Sequence, residues 1–135
     1  MNNETIRMDI TSNSSYVGII RLTTSGIANK IGFSIDDIED IKVAVSEACT
    51  NAIKHSKKDR FFITFTVMEN GINITIEDNG KGYKIDELNK PDLDNPKESG
   101  LGLFIIEALM DEVEIKSTED KGTIISMTKY LGVDI

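Results

Sequence analysis

The sequence predicts an α+β fold, a two-layer sandwich with helices on one face of a mostly antiparallel sheet. Two observations carry that expectation. Apolar residues recur at helical spacing from Val17 to Ala52, then alternate from Phe61 to Ile76. Asn70-Gly71 separates two of the alternating runs, a strong short-range hairpin signal. At 135 residues, with 39% hydrophobic and 28% charged, the chain has the size and balance of one domain spanning 1–135.

Thr5 to Ile10 alternates, with Ile6, Met8 and Ile10 on one side, and predicts a first strand. The polar turn 11–15 can cap a helix running to about Ile31, with Val17, Ile20, Thr24, Ile27 and Ile31 as its buried stripe. Arg21 lies off that stripe and is expected to face solvent. Gly32 stops the helix in the position that favours a left-handed backbone. Ser34 caps a second helix, whose stripe is Ile38, Ile41, Val45, Ala48 and Ala52, and Lys54, Lys57 and Lys58 suit its C-terminal end. Phe61, Ile63, Phe65 and Val67 face inward from one strand, and Ile72, Ile74 and Ile76 from the next. Residues 83–99 lack periodicity and hold both prolines and five acidic residues, which predicts a long loop. Leu101 to Met110 is a short apolar helix, and strands over 113–117 and 123–130 flank a turn at Gly122.

Composition narrows the function. Fifteen basic against twenty-three acidic residues leave a net charge of −8, which argues against direct nucleic-acid binding. One cysteine, Cys49, excludes an internal disulfide, and one histidine, His55, excludes the Cys/His zinc frameworks. No apolar run approaches a membrane span, and the N-terminus has no signal-peptide pattern, so a cytoplasmic protein is expected. No Walker A sequence, Rossmann glycine triplet, calcium loop or nucleophile elbow is present.

Four features carry chemistry. Asp78 continues the inward row of Ile72, Ile74 and Ile76, where a carboxylate is costly unless hydrogen-bonded, and Asn79-Gly80-Lys81-Gly82 follows it. Glu47, Asn51 and His55, four residues apart, line up beside the apolar stripe of the second helix, where a pocket wall would lie. Glu47 can take a proton, and Asn51 offers a neutral oxygen suited to a hard cation. Ser99-Gly100-Leu101-Gly102-Leu103 opens the third helix with glycines, a ready anion site. Thr123 shares its strand face with Ile125 and Met127, so its hydroxyl points inward. Each has a plain structural explanation alone; together they describe a nucleotide pocket roofed by a loop.

These residues resemble a known family. Glu47-Ala48-Cys49-Thr50-Asn51 is similar to the N box of the GHKL (Bergerat-fold) ATPases, and Asp78-Asn79-Gly80-Lys81-Gly82 to their first glycine box. Gly100-Leu101-Gly102-Leu103 resembles their second glycine box and Gly122-Thr123 the last, in the family's order along the whole chain. Val45-Ser46-Glu47-Ala48, Ala52-Ile53-Lys54-His55 and the run 103–111 further resemble bacterial anti-sigma-factor serine kinases of the RsbW type. The resemblance implies the Bergerat fold with a mixed, mostly antiparallel sheet, ATP and Mg2+ as cofactors, and an ATP lid at about 83–99. It implies that Glu47 is the catalytic base, Asn51 the magnesium ligand, and Asp78, supported by Thr123, the reader of adenine. His55, Gly80, Gly82, Gly100, Leu101, Gly102 and Leu103 would complete the nucleotide walls. The lid lacks the arginine often found near its end, so Lys97 or Lys81 would face the γ-phosphate. The implied activity is phosphorylation of an anti-anti-sigma factor on serine, alternating with inhibition of a sigma-B-like sigma factor. Arg21 is the implied partner contact, and the first strand the implied homodimer contact. Two alternatives stay open: a non-catalytic ATP-binding anti-sigma module, and a detached histidine-kinase ATPase domain.

Overall fold

The computed structural model describes residues 3–55, 59–78, 101–118 and 122–132. Among these residues five strands form one sheet: β1 (Glu4–Thr11), β2 (Arg60–Met68), β3 (Gly71–Asp78), β4 (Glu112–Thr118) and β5 (Gly122–Tyr130). Their spatial order is β1-β2-β3-β5-β4, and every pairing is antiparallel. Among the described residues the sheet is therefore antiparallel, where a mixed one was expected. β3 and β4 do run in the same direction, but β5 doubles back between them and pairs with both.

Among the described residues three helices cover one face: α1 (Val17–Ile31), α2 (Ile35–His55) and α3 (Leu101–Leu109). Asn13 caps a short 3-10 turn over Ser14–Tyr16 through a bond from the Ser15 amide, and α1 follows directly. α1 buries Ile20, Thr24, Ile27 and Ala28, and the Thr24 hydroxyl donates to the Ile20 carbonyl at 2.7 Å, so burial leaves no orphan donor. Gly32 ends the helix at φ 110°, as its position implied. The Ser34 hydroxyl accepts the Asp37 amide at the start of α2, which then buries its whole expected stripe together with Ala44 and Cys49. α2 packs against both α1 and α3 and against β3 and β5.

The inward rows of the sheet meet this layer with Phe61, Ile63, Phe65, Ile72, Ile74, Ile76, Ile125 and Met127, all essentially buried. The first strand is the exception. Ile10 is buried, Met8 is half-buried and Ile6 is 44% exposed, because the edge strand runs out from under the helices. On the opposite sheet face Arg7 stacks over Phe62 and reaches Glu77 at 3.3 Å, tying β1 across β2 to β3.

The hairpin between β2 and β3 is present, but its loop is one residue earlier than the Asn-Gly signal suggests. Met68 pairs with Gly71, so Glu69 and Asn70 make the turn and Gly71 opens the strand. A Cβ at Gly71 would collide with the Lys129 carbonyl oxygen of β5. This glycine is required by close backbone approach between strands, which local spacing does not reveal.

Candidate active site

The site begins at the ends of the two central strands. Asp78 is the last residue of β3, its Cα paired with Thr123 of β5, and Thr123 is paired in turn with Ser117 of β4. Asp78 is 4% exposed and Thr123 is 2% exposed, so the inward orientation expected of both is what the fold has. The hydroxyls of Ser117 and Thr123 are 3.0 Å apart and share a hydrogen bond. The result is a polar row across three strands at the rim of an apolar core.

α2 supplies the second wall. Glu47, Asn51 and His55 are all half-buried, as residues beside a core-facing stripe should be. Cys49 lies on the buried side of the same helix, and burial pushes its thiol up from 9.0 to about 12. It stays protonated near neutral pH and is no nucleophile.

α3 closes the arrangement. Its first turn holds Leu101, Gly102 and Leu103, with Leu103 buried. A Cβ built on Gly102 would come 3.1 Å from Glu47 Oε2 and 3.3 Å from Asn51 Nδ2. The structure thus places the glycine-led helix start directly against the carboxylate and the amide of α2. Amides at a helix N-terminus favour anions, and here a carboxylate and a side-chain amide stand against such an end. The donor set fits a hard cation held with phosphates: Asn51 offers a neutral oxygen, and the absence of a side chain at Gly102 keeps the space beside it clear. Among the described residues no cluster of three or more His, Cys, Asp or Glu could hold a metal alone.

The other end of α3 is anchored. Lys129 on β5 donates to the Leu109 carbonyl at 2.7 Å, where the helix dipole favours a cation. The Asp111 amide donates to the Thr128 carbonyl, and the Tyr130 amide donates to Asp111 Oδ2.

Gly80, Lys81, Gly82, Lys97, Gly100 and the lid at 83–99 lie outside the described residues. Arg21 is exposed on α1, as expected, and is not part of this cluster. Its neighbours on the same helix, Ile19 and Leu22, are 50% and 75% exposed. No motif marks those two or Ser117. Ile19 and Leu22 fall outside the stripe of Ile20, Thr24 and Ile27, and Ser117 continues the inward alternation of Val113 and Ile115. Those signals were present.

Comparison with known proteins adds to this geometry. Residues 10–129 match the family described as the histidine kinase-like ATPase domain. The chain is 43% identical to serine-protein kinase RsbW of Halalkalibacterium halodurans, an alignment covering 97% of this chain and 86% of that protein. It is 45% identical to serine-protein kinase RsbW of Bacillus licheniformis, over 93% of this chain and 85% of that protein. Among solved structures, the fold is shared with the RsbU and RsbW domains of a Mycobacterium tuberculosis protein, with a TM-score of 0.72 at 20% identity. That match covers 95% of this chain and 32% of the longer one. Among the described residues no helix is long and apolar enough to cross a membrane.

Proposed function

This chain belongs to the histidine kinase-like ATPase family and, within it, to the RsbW serine-protein kinases; from that premise we propose how its residues use ATP and on whom it acts. The kinase transfers the γ-phosphoryl group of ATP to a serine of an anti-anti-sigma factor. In its other state it binds and inhibits a sigma-B-like sigma factor. The observation that supports the catalytic half is the closeness of Gly102, in the first turn of α3, to the Glu47 carboxylate and the Asn51 amide.

In this proposal Asp78 accepts the adenine amino group at the buried end of β3, and Thr123 supports it. Gly80, Gly82, Gly100, Leu101, Gly102 and Leu103 shape the adenine and phosphate walls, with His55 at the end of the α2 ridge. Lys97 of the lid faces the γ-phosphate. Glu47 accepts the proton of the target serine as its oxygen bonds to the γ-phosphorus; the bond to the β-phosphate oxygen breaks and ADP leaves. Mg2+, held through Asn51, supplies charge neutralisation on the phosphate oxygens when bound.

Partner capture is assigned to α1. Arg21 offers a solvent-facing guanidinium suited to a partner carboxylate, and Ile19 and Leu22, exposed elsewhere around the same helix, supply apolar area. The kinase is proposed to dimerise through β1, a sheet edge whose inward row ends in the exposed Ile6.

The decisive experiment incubates labelled ATP with the kinase and candidate partner proteins. Glu47→Ala should retain ATP and sigma-factor binding while phosphotransfer falls about 10²–10⁴-fold. Asn51→Ala should lose magnesium-dependent nucleotide binding as well. Equal loss of binding in both variants would make Glu47 structural and leave a non-catalytic binding module.

A further inference from the structure

The core-facing row of β5 ends in a charge that the nucleotide reading does not use. Thr123, Ile125 and Met127 point inward, and the next residue on that face is Lys129. Its Cα pairs with the fully buried Ile72, at the end of β3 away from Asp78. An ammonium set against a core is costly unless something bonds it. Lys129 Nζ donates to the Leu109 carbonyl at 2.7 Å. Leu109 is the last residue of α3, so its carbonyl has no acceptor role within the helix, and the dipole there favours a cation.

α3 has nine residues, about 13.5 Å of hydrogen-bonded rod. Leu103, Ile106 and Met110 bury its inner side, but apolar contact is non-directional and sets the position along the axis only loosely. Directional bonds at the C-terminal end set it: Lys129 to Leu109, and the Asp111 amide to the Thr128 carbonyl at 2.9 Å. At the opposite end the tolerance is small. A Cβ on Gly102 would stand 3.1 Å from Glu47 Oε2 and 3.3 Å from Asn51 Nδ2, tighter than ordinary van der Waals contact. We propose that Lys129 is a positioning residue for the phosphate end of the site. Its bond to the Leu109 carbonyl fixes how far α3 reaches, and so holds the helix start at its spacing from Glu47 and Asn51. This rests on the assignment of ATP to the site. The base end is independent of it, because Asp78 is placed by strand pairing and not by α3.

The test measures displacement of a fluorescent ATP analogue from the full chain with Mg2+ present. The competitors are ATP and adenosine, which keeps the base and lacks the phosphates. Lys129→Met, which keeps the stem and removes the donor, should weaken ATP about fivefold and leave adenosine unchanged. Lys129→Arg, which restores a cationic donor, should restore ATP. Loss of ATP and adenosine by the same factor, unchanged ATP, or a Lys129→Arg protein no better than Lys129→Met overturns the inference and leaves the nucleotide site standing. A double-mutant cycle reads the same coupling from ATP alone, and decides by itself if adenosine does not compete. Gly102→Ala should weaken ATP in the unaltered background and do so less in Lys129→Met, because the released helix retreats from Glu47. The combined loss should fall short of the product of the single losses by more than about twofold, the tolerance of independent sites. A combined loss within that factor overturns the inference. If Lys129→Met does not fold, Lys129→Gln, with a shorter and neutral side chain, carries both measurements with the same outcomes. Failure of the unaltered protein to bind ATP overturns the nucleotide reading and this inference with it.

Discussion

The rim of the sheet and the outer face of α1 invert the usual burial of side chains in opposite ways. At the rim, polar Asp78 and Thr123 are 4% and 2% exposed; on α1, apolar Ile19 and Leu22 are 50% and 75% exposed. A buried polar group costs free energy unless a partner satisfies it, and an exposed apolar cluster keeps its area in water until something covers it. The rim is closed and precise: its groups are aligned by two strand pairings and one hydroxyl bond. The helix face is open: the described residues leave half or more of Ile19 and Leu22 uncovered. The first arrangement suits a small ligand read atom by atom, the second a protein partner that brings its own surface.

The contrast can be broken most forcefully at the closed end. Gly71→Ala places a Cβ against the β5 backbone, so β3 and β5 must separate. The expected loss is about 3 kcal/mol or more of folding stability, measured by urea denaturation. A loss below about 1 kcal/mol would mean that the two central strands are not held as closely as described. Asp78→Asn, in the same region, should leave the fold in place and weaken ATP by about 1–3 kcal/mol, since the amide turned into the site mispairs with the adenine amino group. Calorimetry that finds unchanged ATP affinity, with GTP bound equally well, would remove Asp78 from base recognition.

The open face should respond the other way. Arg21→Ala is expected to change folding stability by no more than about 0.5 kcal/mol, as exposed substitutions do. It should leave ATP affinity intact and weaken both the sigma factor and the anti-anti-sigma factor by about 2 kcal/mol. A pull-down in which this variant captures both partners normally would deprive the arginine of its role and erase the functional side of the comparison.

Much of the molecule was legible from spacing because the signals were local and periodic. The stripe of Ile38, Ile41, Val45, Ala48 and Ala52 is buried along its length, and Asp78 sits where the alternation of Ile72, Ile74 and Ile76 puts it. Glu47 and Asn51 were legible as a ridge, because a four-residue step on a helix is a geometric neighbour relation. The first strand was only partly so: alternation marks which side Ile6 faces but not whether a helix reaches far enough to cover it.

The sequence by itself determined the element types, the inward and outward faces, the caps at Ser34 and Gly32, and the polar intrusions at Asp78 and Thr123. Each follows from the conformational preference of a residue or from a period of two or 3.6 along the chain. Tertiary structure alone decided which elements are neighbours. It put β5 between β3 and β4, so that Asp78, Thr123 and Ser117 form one row although Asp78 and Thr123 are 45 residues apart in the chain (123 − 78). It set Gly102 against Glu47 and Asn51, and it made Gly71 a contact glycine rather than a turn glycine. These depend on which backbones approach each other across long sequence separations, and a spacing rule written along one segment carries no term for that.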